Sequence, residues 1–266
     1  MTPAITEKRP LAGQVAIVTG STQGIGAGIA LGLAAAGAHV LVHGIDSQRP
    51  GGEKVVEQIE SMGSHALLAT GDLREEAHCR SLGRQALKRF GRLDILVNNA
   101  AVSHRGTIED TSTALWDEIF AVNVRAPFIL CQEAVRHMKE RRSGCIINIG
   151  SGNGYFGLKR LLPYSASKGA LMTFTKNLSN YLTQYRIRVN QINPGWTRTE
   201  GESHLLGVVE GRGENWLDEV VKTRPFGRML EPADIARAVL FLATNEMISG
   251  AVLDCEQQPF NAPEEK

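Results

Sequence analysis

Short apolar runs recur along the chain at Val15–Val18, Val40–Val42, Ala66–Ala69, Ile95–Val97, Cys145–Ile149, Ile187–Ile192 and Ala251–Leu253. They are rich in β-branched residues and do not alternate with polar ones, the pattern of strands buried on both faces. Segments of helical length lie between them, among them Ile25–Ala36, Glu53–Met62, Glu75–Phe90 and Leu171–Leu182, with Gly37 closing the first. Strands separated by helices imply parallel crossovers. The expected fold is a Rossmann-like, doubly wound α/β domain of about seven parallel strands with helices on both faces. It should occupy residues 13–266 behind an N-terminal extension of residues 1–12. After the sixth strand, Gly201, Gly207, Gly211 and Gly213 punctuate the chain, and the stretch 196–226 reads as a substrate loop able to cover a site.

Composition narrows the setting. The chain has 266 residues, 42% hydrophobic and 21% charged, within the range of one α/β domain. With 29 Lys and Arg against 28 Asp and Glu, no net field favours a polyanion or an acidic bilayer, so neither nucleic acid nor membrane is expected as a partner. The apolar stretch Leu31–Val42 is broken by Gly37 and His39 and is too short to span a bilayer. Glu7, Lys8, Arg9 and Pro10 sit where a secretory signal needs an apolar core, which predicts a cytoplasmic protein. Cys79, Cys131, Cys145 and Cys255 show no C-x-x-C spacing and read as reduced structural thiols. His39 and His43 flank a strand rather than share a helix face, so no metal site is expected.

The first strand runs into Thr19-Gly20-Ser21-Thr22-Gln23-Gly24-Ile25-Gly26 and then a helix. Strand, glycine turn and helix are the context a pyrophosphate site requires. Gly20 permits the turn, Gly24 a close backbone approach, and Gly26 tight helix–sheet packing, while the helix N-terminus offers N–H donors. Gly20, Ser21, Gln23, Gly24, Ile25 and Gly26 are the expected contacts. After the second strand a carboxylate would favour NAD and an arginine NADP. Here Gly44, Ile45 and Asp46 are followed by Arg49; the balance tips to NADP, with NAD the alternative.

Tyr164 and Lys168 are four residues apart, on one face of a helix. Ser151 follows the strand Cys145–Ile149 at the carboxyl end where open sheets bind ligands, and Asn123 falls in a helix able to face the same crevice. A phenol is a poor base at neutral pH, but a neighbouring cation and an oxidised nicotinamide stabilise its phenolate. Tyr164 then serves as acid/base, and Ser151 stabilises charge on the substrate oxygen.

Together Thr19 to Gly26, Asn98-Asn99-Ala100, Asn123, Ser151, Tyr164 with Lys168, and Pro194-Gly195 with Thr199 resemble the short-chain dehydrogenase/reductase family over about Gly13 to Leu253. The resemblance implies a nicotinamide-dependent oxidoreductase acting on a secondary alcohol or ketone, with a catalytic tetrad of Ser151, Tyr164, Lys168 and Asn123. It implies cofactor contacts at Ile45, Asp72, Leu73, Asn99, Ala100, Pro194, Gly195, Thr197 and Thr199, with Lys168 reaching the nicotinamide ribose and Asn123 holding a water. Subunits would pair into dimers or tetramers through the helices of Asn123 and Tyr164. Asp72 could instead cap the next helix. Two positions depart from the family: Ala101 stands where glycine is usual, and Asp254-Cys255-Glu256 replaces Asp-Gly-Gly.

Asn153, Tyr155, Trp196, His204, Arg212 and Trp216 are candidate pocket or loop groups, suited to a sugar, polyol or ring ketone. The alternatives are a non-catalytic dinucleotide sensor or scaffold, which need not keep Ser151, Tyr164 and Lys168 together, and a hydrolase, which would need a Gly-x-Ser-x-Gly turn that Ser151 lacks.

Overall fold

The computed structural model describes residues 9–204, 213 and 216–260. Seven strands form one parallel sheet: β1 Val15–Val18, β2 His39–Gly44, β3 Ala66–Thr70, β4 Ile95–Asn98, β5 Gly144–Ile149, β6 Ile187–Pro194 and β7 Val252–Cys255, in the order β3-β2-β1-β4-β5-β6-β7. The crossovers are α1 Gly24–Ala35, α2 Arg49–Ser61, α3 Glu76–Phe90, α4 Thr113–Phe120, α5 Ala126–Arg141, α6 Leu162–Leu182, α7 Glu200–His204, α8 Trp216–Lys222 and α9 Pro232–Thr244. All seven apolar runs form strands, several longer than expected. The pattern ended β2 at Val42, whereas His43 and Gly44 pair with Ala69 and Thr70 and carry the strand to the ligand end.

Alternate residues of one strand supply two separate cores, which is why the runs do not alternate in polarity. Ala16 and Val18 pack with α1 and α9 residues such as Ile29, Leu33 and Val239. Val15 and Ile17 pack with α3 and α5 residues such as Leu82, Ile129 and Leu130 on the other face. Leu11, placed by the sequence pattern in an extension, is buried in the first core, and its N–H donates to the Ala36 carbonyl at 2.9 Å.

Two helices hidden from the periodicity shape the site. α6 begins nine residues before the expected Leu171 and so includes Tyr164 and Lys168, with Pro163 in its first turn, where a missing N–H costs nothing. A π-helical turn at Ala121–Arg125 joins α4 to α5 and contains Asn123, the kind of interruption that often sits at functional sites. The sheet order reverses between β1 and β4, so the loops after both strands border one crevice.

Candidate active site

The turn after β1 is locked from several directions. Thr19 Oγ1 accepts from the N–H groups of Asn99 and Ala100 at 3.0 and 3.1 Å, and Asn99 Nδ2 donates to the carbonyls of Thr19 and Gly20 at 2.8 and 3.0 Å. Gly20 and Gly24 take φ of 61° and 57°, the left-handed region that favours glycine. A Cβ on Gly26 would lie 2.1 Å from the Gly20 carbonyl oxygen. No side chain caps α1, and no acidic residue stands in its first turn. Its first N–H groups are therefore left for an anion, and the cradle fits a dinucleotide pyrophosphate.

Ser21 is turned inward. Its N–H donates to the His43 carbonyl, its hydroxyl donates to Val18 O at 2.6 Å, and the same oxygen accepts from His43 N–H at 3.0 Å. The contact expected of it is corrected: both of its donors are spent inside the protein. Gln23 is exposed at the N-cap of α1, and Ile25 lines the adjoining cleft. His43, which motif spacing does not reveal, accepts from Gly20 N–H through Nδ1 at 3.3 Å. Burial, helped by the charge of His78, pushes its pKa down to about 4, so it stays a neutral acceptor.

At the other end of the crevice, Ile45 is exposed. The Asp46 side chain is 81% exposed, with an Arg49 nitrogen 3.8 Å away, while Arg49 donates to Thr70 Oγ1 at 2.6 Å. Asp72 does not cap α3. Its carboxylate accepts from Arg74 N and Nε at 2.8 and 2.7 Å, and those hydrogen bonds hold it below the usual carboxylate range. Leu73 is buried in the core, so its side chain faces away from the crevice.

Ser151, Tyr164 and Lys168 line one cleft of about 630 Å³, with Asn99, Asn153, Trp196 and Thr199 on its walls and Pro194, Gly195 and Thr197 beside them. Its size suits a small organic ligand. Ser151 starts a short 3-10 turn, Gly152–Gly154, and its Oγ accepts from Asn153 N–H at 3.2 Å. Burial pushes the Tyr164 phenol up, the Ser151 hydrogen bond works the other way, and the charge of Glu202 adds to the rise. Lys168 Nζ lies 5.6 Å from the Tyr164 ring centroid and donates to Ile149 O at 2.8 Å. Burial lowers its pKa to about 8. In this structure the ammonium is thus engaged with a carbonyl, and burial sets the phenol.

Asn123 is buried and does not line the cleft. Its Oδ1 accepts from Val102 N–H at 2.8 Å, and its Nδ2 donates to Val102 O and Ser167 Oγ at 2.9 and 3.0 Å. The amide clamps the loop after β4 to α6, with both Nδ2 hydrogens committed to Val102 O and Ser167 Oγ. Tyr155 stands outside the cleft lining beside its wall residue Phe260, with ring centroids 6.2 Å apart, and its hydroxyl donates to Asp254 Oδ1 at 3.0 Å. Trp216 is corrected as a pocket group, because it is buried against Val220 and Met229. The side chain of His204 and the whole of Arg212 lie outside the described residues. Ala101 borders the cleft without a positive φ, so its methyl replaces glycine without strain.

Other wall residues escaped the motifs. Phe156, Leu158, Leu161, Glu202 and Phe260 all line the cleft. Phe260 lies across Gly152, where a Cβ would be 2.4 Å from its ring, and its ring is tilted at 52° to that of Phe156 with centroids 6.5 Å apart. Loop and tail aromatics carry no periodicity, so only the folded chain brings them together.

The family model described as short chain dehydrogenase matches residues 14–206. The chain is 37% identical over 248 residues to an uncharacterized oxidoreductase of Thermotoga maritima, covering 92% of this chain and 96% of the relative. It is 36% identical over 258 residues to the versicolorin reductase of Emericella nidulans, covering 94% and 97% of the two chains. A short chain dehydrogenase from Burkholderia cenocepacia, solved in complex with NADP, superposes with a TM-score of 0.82 at 31% identity and covers 93% of this chain and 98% of its own.

Proposed function

The chain belongs to the short-chain dehydrogenase family, and from that premise we propose that it interconverts a cyclic ketone and its secondary alcohol with NADP(H), Tyr164 serving as the acid/base. The observation that carries the reading is the convergence of Ser151, Tyr164 and Lys168 on the cleft that adjoins the glycine cradle. A nicotinamide bound beside these residues would supply the hydride for the carbonyl carbon in reduction and accept it in oxidation. Ser151 supports the substrate oxygen, where charge develops. Tyr164, kept protonated by burial, delivers its proton to that oxygen during reduction. Lys168 stands beside the resulting phenolate and stabilises it once its ammonium turns from Ile149 O. Because both Asn123 Nδ2 hydrogens go to Val102 O and Ser167 Oγ, a water continuing the proton path would meet the second lone pair of Asn123 Oδ1 or the main chain of the π-turn.

NADP is preferred on two grounds. Gly44 ends β2 with no side-chain carboxylate, the exposed Asp46 pairs loosely with Arg49, and the half-exposed Arg49 guanidinium at the end of the strand is suited to meet a 2′-phosphate. The NADP complex of the Burkholderia protein supports the same choice. The aromatic and aliphatic walls Phe156, Leu158, Trp196 and Phe260 suit a flat ring better than an open polyol. Phe128, 47% exposed on α5, packs edge-on against Phe174 of α6, which supports pairing of subunits through these helices. No helix among the described residues is long and apolar enough to cross a membrane.

The test is turnover of cyclohexanone, tetralone and fructose, followed at the nicotinamide absorbance band with NADPH and with NADH. Tyr164→Phe should lower kcat by about a thousandfold while NADPH still binds. Retained turnover overturns the role of Tyr164, and tighter binding of NADH overturns the cofactor choice.

A further inference from the structure

The glycines usual after the last strand are replaced here by Cys255 and Glu256, and Glu256 contacts both ends of the substrate segment 196–226. Its Oε2 accepts from the Trp196 N–H at 3.1 Å and lies 3.4 Å from Arg224 Nη1, and its Oε1 accepts from Gln257 N–H at 2.7 Å. The two side chains of the ion pair are 8% and 15% exposed. At this burial a charge pair is geometrically demanding, and loss of one partner leaves the other uncompensated. Arg224 Nε has no hydrogen-bond partner among the described residues, and Nη1 is the guanidinium nitrogen that meets Glu256.

Three further contacts converge on the same junction. A Cβ on Gly195 would lie 2.2 Å from Glu256 Oε2, so the glycine leaves the carboxylate room to sit against the Pro194-Gly195 main chain. The Arg224 guanidinium carbon stands 5.3 Å from the Trp196 ring centroid, and the indole N–H donates to Glu202 Oε1 at 2.7 Å. Gln257 continues the tie, accepting from Phe226 N–H at 2.9 Å. One carboxylate thus joins the start of the segment, at a wall of the substrate cleft, to its end 28 residues later.

We propose that Glu256 is a positioning residue that staples the two ends of segment 196–226 together and thereby fixes the Trp196 wall of the substrate cleft. A glycine in its place supplies no acceptor for either end. Its effect on turnover rests on the reductase reading above; its effect on the segment does not.

Hydrogen–deuterium exchange and steady-state kinetics on the full chain, for Glu256→Ala and Glu256→Gln, separate the two. Glu256→Ala should raise exchange both at 196–204 and at 216–226. Glu256→Gln keeps an oxygen for Trp196 N–H but loses the ion pair, so it should raise exchange chiefly at 216–226. The ketone KM should rise about tenfold in the Ala variant and less in the Gln variant, with the NADPH KM changed by less than about twofold. Unchanged protection at both ends overturns the staple, as does a uniform loss of protection across the sheet with both KM values rising together. If the wild type reduces no ketone yet the graded exchange pattern appears, the reductase reading fails and the staple stands.

Discussion

The cofactor cradle and the substrate wall are built by opposite means. The cradle is made from main chain: glycines at 20, 24 and 26, uncapped N–H groups of α1, and carbonyls gripped by Asn99. The substrate wall is made from side chains that meet from distant stretches, Phe156 with Phe260 and Trp196 with Glu202, Arg224 and Glu256. A surface made of backbone tolerates almost no added atom, whereas one made of side chains can be re-cut a residue at a time. On the proposed function, the first region holds the cofactor and the second selects the substrate.

The sharpest way to break that contrast is at Gly26. A methyl group there meets the Gly20 carbonyl oxygen at 2.1 Å and Asn99 Nδ2 at 2.5 Å, so Gly26→Ala must push α1 off the sheet. The expected result is a loss of NADPH affinity of about a hundredfold, measured by fluorescence titration, since the phosphate donors move with the helix. Phe260→Ala should behave in the opposite way. Removing a ring that lies over Gly152 opens the cleft and should lower kcat/KM for a ring ketone by about tenfold, while NADPH affinity stays within about twofold. If Phe260→Ala weakened the cofactor as much as the ketone, the two regions would not be separable.

The same contrast explains how much was legible in the sequence. Thr19 to Gly26 is contiguous, and its glycines are demanded by backbone geometry, so the cradle could be read from spacing alone. The Tyr164–Lys168 pair was readable because one helical turn brings them together, although the periodicity placed the start of α6 too late to say so. Ser21 misled because a polar side chain near a site looks available until the fold shows it already bonded, here to Val18 and His43. Phe260, Glu202 and Glu256 were invisible as site residues because their partners are distant or carry no motif. The meaning of Glu256 emerges only where β7 delivers it beside Gly195.

Arg49 tests the cradle at its outer edge, where side chains take over from backbone. Arg49→Glu puts a carboxylate beside exposed Asp46, with which Arg49 now makes a loose pair. The ratio of NADPH to NADH affinity should fall by about fivefold, because an exposed cation contributes modestly to a 2′-phosphate. An unchanged ratio would move the phosphate contact elsewhere.

The smallest effect lies at Glu202, a wall residue whose charge reaches the Tyr164 phenol. Burial is the largest cause of the raised Tyr164 pKa, and the charge of Glu202 adds to it. Alcohol oxidation requires the phenolate, so its rate rises as pH climbs through the Tyr164 pKa. In Glu202→Gln the carboxylate charge is gone, the phenol ionises more easily, and the rising limb of the pH–rate profile should move to lower pH by less than about one unit. Ketone reduction needs the protonated phenol, so its falling limb should move the same way. Glu202→Gln also leaves an amide oxygen to accept from the Trp196 indole. A shifted profile with unchanged ketone KM then marks Glu202 as acting on the proton, and a raised KM without a shift marks it as a prop for the Trp196 wall.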